Sequence, residues 1–123
     1  DQILLITDAL LASGLPDGEY VMGGLKMILK NREARLESGA LMGSTLPYQY
    51  GLRNVSEITG LPLEQLVKCT SWNQANCLNL DGVGKLQKGY RANIAIMDPD
   101  FNVLGTMVRG ELRYRHDELP VTK

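Results

Sequence analysis

A chain of 123 residues with 44% hydrophobic and 22% charged side chains has the composition of one ordinary globular domain, which excludes a disordered or low-complexity segment. Thirteen basic against fourteen acidic residues leave a formal charge of −1, and no basic block with interleaved aromatics occurs, so neither a nucleic acid nor an anionic membrane is an expected partner. No apolar run approaches the roughly 20 residues that cross a bilayer, and the first residues lack the basic-then-apolar pattern of a signal peptide, so the expected compartment is the cytoplasm.

The first element is Ile3-Leu4-Leu5-Ile6, four apolar residues that run into Thr7, Asp8 and Ala9. An apolar run without alternation predicts a strand buried on both faces, as in a parallel sheet. In a barrel or an open α/β sheet the end of such a strand faces the active site, which makes Asp8 a candidate catalytic residue. The other reading of Asp8 is a cap on the turn that follows. Because a parallel strand needs neighbours and nothing later in the sequence repeats it, the chain is expected to be the tail of a longer protein.

Gly14-Leu15-Pro16-Asp17-Gly18 is turn chemistry and predicts a loop beyond the strand end. Three short extended runs follow, Glu19 to Met22, Leu25 to Lys30 and Glu33 to Leu36, divided by tight turns at Gly23-Gly24 and Asn31-Arg32. In the middle run Leu25, Met27 and Leu29 share one face, which predicts an antiparallel ribbon packed on one side. After Gly39 to Thr45 a helix is expected, with Ser44 or Thr45 as its cap, Pro47 in its first turn and Tyr48, Leu52, Val55 and Ile58 on one face. Gly60 stops it.

Pro62 opens a second helix that places Leu63, Leu66, Val67 and Thr70 on one side. Ser71 and Gln74 have capping-box spacing and Asn73 is a second possible cap, so a break near Ser71-Trp72-Asn73 and a restart through Ala75 to Leu80 are expected, with Trp72 as a packing anchor. The chain from Asp81 to Arg91 reads as loop. Ala92 to Met97, Val103 to Val108 and Glu111 to Tyr114 read as strands joined at Asp98-Pro99-Asp100 and Arg109-Gly110. Residues 116–123 are expected to fray. Cys69 and Cys77 have no second pair, and His116 is the only imidazole, so both cysteines read as buried thiols and no histidine-rich metal site can form from this chain alone. The plan is a piece of an α/β layer over residues 1–80 and strands of a separate small sheet over 84–115.

Taken in order, Leu5-Ile6-Thr7-Asp8-Ala9, Gly14-Leu15-Pro16-Asp17-Gly18-Glu19-Tyr20, Gly23-Gly24, Gly43-Ser44-Thr45-Leu46, Leu52-Arg53-Asn54 and Gly84-Lys85-Leu86 to Asp98-Pro99-Asp100 resemble the C-terminal third of the N-acetylglucosamine-6-phosphate deacetylase family. The last stretch is similar to the amidohydrolase superfamily at large, and the earlier combination is the sharper one. The resemblance implies an α/β fold: the C-terminal fragment of a metal-dependent (β/α)₈ barrel, with its last strand, a β-ribbon and helices, plus strands of a small β-sandwich. It implies that Asp8 is the acid/base, taking a proton from water and passing it to the departing amine, with a divalent metal, zinc or iron, polarising the acetamide and the water. Met42, Gly43 and Ser44 align with a segment that contacts the substrate.

Three positions depart from the family pattern. Met42 stands where a small residue is usual, Asn73-Gln74-Ala75 where Asn-Pro-Ala is typical, and Gly89-Tyr90-Arg91-Ala92-Asn93 where Gly-Lys-x-Ala-Asp is typical. The family's metal ligands, a glutamate and two histidines, come from earlier strands, so the chain by itself is expected to hold no metal and to hydrolyse nothing. The intact enzyme would act on a sugar-phosphate substrate, and a homo-oligomer is expected. The alternatives are another amidohydrolase, dihydroorotase-like or imidazolone-hydrolysing, and a non-catalytic binding or assembly module.

Overall fold

The computed structural model describes residues 3–119. The described residues form strands β1 (Gly18–Met22), β2 (Leu25–Lys30), β3 (Glu33–Leu36) and β4 (Leu41–Ser44), helices α1 (Tyr48–Thr59), α2 (Leu63–Leu66) and α3 (Trp72–Cys77), and strands β5 (Ile94–Met97), β6 (Val103–Val108) and β7 (Glu111–Arg115). A 3₁₀ turn, Val67–Thr70, joins α2 to α3. The result is a mixed α/β chain with two small antiparallel sheets. It divides into two compact units, Ile6–Gly51 on one side and the described parts of Asp1–Leu5 and Leu52–Lys123 on the other.

In the Ile6–Gly51 unit β1 to β4 form a meander in sequence order, as the period-two pattern predicts for the first three strands. The two-residue turns at Gly23-Gly24 and Asn31-Arg32 all have positive φ, the conformation that matches the twist of a tight hairpin. Register pairs Tyr20 with Met27 and Leu29 with Ala34. This places Met27, Leu29, Ala34 and Ala12 in one buried cluster, against which Leu10, Tyr20, Met22 and Met42 pack. Ile28, between two buried residues, stays exposed, so the ribbon packs on one side at Met27 and Leu29, whereas Leu25, expected on the same packed face, is 53% exposed.

β4 was not expected as a strand, because Leu41-Met42-Gly43-Ser44 lacks alternation and contains a glycine. Its strand character comes from pairing with β3, with a bulge at Ala34/Arg35 that shifts the register. The helix therefore begins later than Gly39 to Thr45 suggests. Neither Ser44 nor Thr45 caps it directly: the Ser44 hydroxyl accepts a hydrogen bond from the Leu46 amide at 3.0 Å, and the Thr45 hydroxyl donates to the Arg32 carbonyl.

The largest correction concerns Ile3 to Ile6. These residues are not a buried strand: Ile3 is 59% and Ile6 75% exposed, and no strand is formed before β1 among the described residues. A parallel strand is stable only with ladder partners, and the described chain offers this segment none. The parallel contact that exists is a single bridge between Ala9 and Ser44.

The second unit is built around Leu52, Leu66 and Cys69, with Leu5, Val55 and Phe101 packed on them. Leu52 and Val55 face this cluster as the helical spacing predicts, whereas Ile58, on the same predicted face, is 83% exposed. Gly60 ends α1 with φ +61° and an amide bond to the Ser56 carbonyl, a C-terminal glycine stop. The expected break falls at Ser71, but α3 restarts at Trp72 and ends at Cys77, earlier than the sequence pattern suggests. Leu63 and Val67 are exposed, contrary to the one-sided reading of the second helix.

β5, β6 and β7 pair antiparallel in sequence order, with Ile94 opposite Met107 and Gly105 opposite Arg115. Asp98 organises the first turn, accepting amide bonds from Asp100 and Asn102 at 2.8 Å each. Asn93 organises the second, accepting the Arg109 amide at 2.9 Å. Residues 116–119 are fastened rather than frayed, because the His116 amide donates to the Leu104 carbonyl and Leu119 turns back onto His116. The remainder of the expected fraying falls on residues 120–123, outside the described residues.

Candidate active site

Within the Ile6–Gly51 unit the structure brings Asp8, Gly43 and Ser44 together. The Ser44 amide donates to the Asp8 carbonyl at 3.1 Å, and the Leu10 amide donates to the Ser44 carbonyl at 3.0 Å, so the chain around Ala9 is zipped to the end of β4. Gly43 permits that approach. Its φ is +153°, and a Cβ there would lie 3.0 Å from two Leu10 side-chain carbons and 3.4 Å from the Asp8 carbonyl oxygen. The sequence reading placed these residues in one site by resemblance, and the pairing of β4 is the local reason they meet.

Asp8 is exposed and has φ +47°, a left-handed conformation that aspartate tolerates better than most residues. Its carboxylate makes no hydrogen bond or ion pair among the described residues. The following turn is closed by backbone bonds instead, Ser13 to Leu10 at 2.9 Å and Leu15 to Ala12 at 3.1 Å. The cap reading of Asp8 therefore fails. What remains is a carboxylate on a strained backbone, held by its main chain and with its side chain uncommitted.

Met42 is placed differently from its two neighbours: it packs against the cluster of Ala12, Met27, Leu29 and Ala34. The Leu15-Pro16-Asp17-Gly18-Glu19-Tyr20 stretch, prominent in the sequence, also serves the local structure. Asp17 accepts the Asn31 amide at 3.1 Å, and the Tyr20 hydroxyl donates to the Pro16 carbonyl at 2.7 Å, which locks the loop to the hairpin. In the same unit the Arg32 guanidinium lies 4.8 Å from the centroid of the Tyr50 ring, a cation–π distance.

Asn73 and Gln74 take partners far away in sequence that capping spacing does not announce. In the second unit the Asn73 side-chain amide donates to the Ile3 carbonyl at 2.9 Å, and the Gln74 side-chain amide donates to the Leu5 carbonyl at 3.0 Å and also to the Cys69 carbonyl. The Leu5 amide completes the set by donating to the Cys69 carbonyl at 2.8 Å. Capping-box spacing had suggested that Gln74 serves Ser71. No side-chain cap bond forms there; Asn73 and Ala75 are buried and Gln74 is half-buried.

Electrostatics are mild. Hydrogen bonds from the Asn102 side chain and amide, with the Asp100 amide and the charge of Arg53, hold the Asp98 carboxyl below its ordinary range, and burial pushes the Cys69 thiol up. Cys77 is exposed, contrary to the expectation of two buried thiols. No group of three or more His, Cys, Asp or Glu side chains among the described residues is arranged to hold a metal ion. No helix of the described residues is long and apolar enough to cross a membrane.

Comparison with known proteins gives the geometry a context. The pattern of the amidohydrolase family matches residues 7–113. An N-acetylglucosamine-6-phosphate deacetylase of Lysinibacillus sphaericus is 41% identical over 113 residues, which cover 92% of this chain and 29% of the relative. An N-acetylgalactosamine-6-phosphate deacetylase of Escherichia coli O157:H7 is 36% identical, over 91% of this chain and 30% of the relative. Among solved structures, the N-acetylglucosamine-6-phosphate deacetylase of Thermotoga maritima superposes with a TM-score of 0.86 at 38% identity, over 93% of this chain and 31% of that one. A mutant of the Mycobacterium smegmatis enzyme, solved in complex with N-acetyl-D-glucosamine-6-phosphate, gives 0.79 at 32% identity, over 89% of this chain and 30% of that one. The chain thus spans under a third of each of these four proteins, and it belongs to the amidohydrolase family.

Proposed function

We propose that this chain is the acid/base-bearing part of a deacetylase that converts an N-acetylhexosamine 6-phosphate, in first place N-acetylglucosamine 6-phosphate, to the free amine and acetate. The observation that carries the reading is the uncommitted Asp8 carboxylate, whose backbone is bonded to Ser44 next to Gly43. Asp8 is the residue that moves protons. It removes one from the attacking water, so that the water oxygen bonds to the acetamide carbonyl carbon, and it then delivers that proton to the amine nitrogen as the C–N bond breaks. By resemblance Met42, Gly43 and Ser44 form the segment that contacts the sugar, with Gly43 and Ser44 as its substrate-facing pair because Met42 packs against the cluster of Ala12, Met27, Leu29 and Ala34.

Support for the sugar-phosphate class comes from the Lysinibacillus relative and from the Mycobacterium smegmatis complex. The galactosamine isomer is the second reading, favoured by the E. coli relative at 36% identity. The metal ion implied by the family resemblance finds no ligand set among the described residues, so the chemistry assigned to this chain is confined to proton transfer and substrate contact. In the same reading residues 1–80 are the end of a (β/α)₈ barrel, residues 84–115 contribute strands to a small β-sandwich, and the whole enzyme is a cytoplasmic homo-oligomer.

The test is a chimera in which this chain replaces the matching part of the Lysinibacillus sphaericus enzyme, assayed for acetate release. Release from N-acetylglucosamine 6-phosphate, faster than from the galactosamine isomer and absent with dihydroorotate, is the expected result. A folded, metal-loaded chimera that releases no acetate from either sugar phosphate overturns the reading.

A further inference from the structure

Between Asp81 and Asp98 the chain carries no acid and three cations, Lys85, Lys88 and Arg91, although its formal charge as a whole is −1. In the unit that holds β5 to β7 these three line one concavity of about 280 Å³, together with Leu86, Tyr90 and Ile94, and no carboxylate is among its lining residues. None of the three cations is ion-paired among the described residues. Like charges that share one wall repel each other, and an anion placed among them turns that repulsion into attraction.

Three further observations separate this arrangement from a scatter of surface cations. The loop that carries them is closed on itself: the Arg91 amide donates to the Gly82 carbonyl at 2.8 Å and the Tyr90 amide to the Gln87 carbonyl at 3.0 Å, while the Ala92 carbonyl accepts the Gly110 amide at 2.9 Å. The Lys85 ammonium is itself held, 3.4 Å from the centroid of the Trp72 ring, so its charge is in place before any ligand arrives. Asn93 stands where the resemblance leads one to expect aspartate, and Tyr90 where it leads one to expect lysine. The chain leaving the concavity therefore brings no carboxylate to cancel the cations, and an aromatic ring stands among them.

We propose that this concavity is a binding site for a small organic phosphate, a monoester whose charge is taken by Lys85, Lys88 and Arg91 and whose body lies against Tyr90, Leu86 and Ile94. The guanidinium fork matches two phosphate oxygens, and the two ammonium groups add point charges that a doubly charged phosphate uses better than a singly charged carboxylate. A volume of about 280 Å³ lies at the lower end of ligand-site sizes, so the body is a single ring or smaller rather than a nucleotide. The inference goes beyond the deacetylase reading and uses none of Asp8, Met42, Gly43 or Ser44, so the two fail separately.

The test is titration of the 123-residue chain at low salt with phenyl phosphate, inorganic phosphate and benzoate, followed through the backbone amide shifts. Phenyl phosphate is expected to move the amides of residues 85–91 and 94 with a Kd on the order of 1 mM or below, and to bind at least about fivefold more tightly than either of the other two. Lys88→Gln and Arg91→Gln each weaken it at least about threefold, and the shifts fade as salt rises. Tyr90→Ala weakens phenyl phosphate and leaves inorganic phosphate unchanged. Arg113→Gln, which removes a cation paired with Glu111 in the same unit, leaves all three ligands unchanged. Weakening by Arg113→Gln as large as that by Arg91→Gln means general attraction without a site and overturns the proposal. So do benzoate or inorganic phosphate binding as tightly as phenyl phosphate, and unmoved amides at about 10 mM phenyl phosphate, well above the expected Kd.

Discussion

Gly43→Ala is the sharpest test of how the Asp8 segment is held. At φ +153° an L-residue is strained, which costs about 1–3 kcal/mol. The added Cβ meets two Leu10 carbons at 3.0 Å, and Leu10 packs against the cluster of Ala12, Met27, Leu29 and Ala34, so moving it disturbs the core by about 1 kcal/mol. The Asp8 carbonyl oxygen, 3.4 Å away, is at ordinary contact distance and adds nothing. The sum is about 2–4 kcal/mol, or roughly 30- to 1,000-fold in the folding equilibrium. Urea unfolding measures it, with a lower midpoint at an unchanged slope. Amide exchange locates it, because the Ser44 and Leu10 amides, whose bonds run to Asp8 and Ser44, lose protection before those of β1 and β2. A variant within 0.5 kcal/mol of the parent, on the order of a neutral surface change, with both amides still protected refutes the close approach of Gly43 to the Asp8 segment.

The other predictions concern stability, protonation and reactivity. Met27, 1% exposed in the centre of the ribbon core, costs about 2–4 kcal/mol when replaced by alanine, read from the same urea titration. Gly84→Ala destabilises by about 2 kcal/mol, because φ is +86° and the new Cβ would lie 3.1 Å from the Ser71 carbonyl oxygen, the Trp72 Cα and the Ala75 Cβ; an unchanged midpoint contradicts that contact. Asp98 has a folded pKa below its unfolded value, so its contribution to stability is complete above the unfolded value and is lost as pH falls through the folded one. Asn102→Ala removes the main cause, and carbon-detected titration then finds the Asp98 carboxyl nearer its ordinary value. With a thiol reagent, Cys77 reacts in the folded protein and Cys69 only on unfolding, since Cys69 is buried and its thiol pushed up; equal native rates contradict the burial of Cys69.

The β-rich stretches were readable because their signals are local. Alternation at Leu25, Met27 and Leu29, and positive-φ turns at Gly23-Gly24 and Arg109-Gly110, fix the strands and hairpins within a few residues of chain. Ile3 to Ile6 misled for the opposite reason. An apolar run states what a segment prefers to be buried in, and burial depends on partner strands that the described chain lacks. β4 was missed because its strand character comes from β3, through a bulge that no pattern in Leu41 to Ser44 announces. At the site, Asp8 stands out by its place after an apolar run and, with Gly43 and Ser44, by resemblance, whereas their contact is a backbone fact: Ser44 to Asp8 and Leu10 to Ser44. Asn73 and Gln74 were read as caps because capping spacing is a short-range rule. Their partners, Ile3 and Leu5, lie some 70 residues away in sequence.

The measurement that bears most directly on the account is kcat of the chimera with Asp8→Asn. Loss of the proton-transfer group predicts a fall of at least about a hundredfold, with metal content and the urea midpoint near those of the parent chimera. An unchanged kcat in a folded, metal-loaded protein would contradict the assignment of Asp8 as the residue that moves the proton.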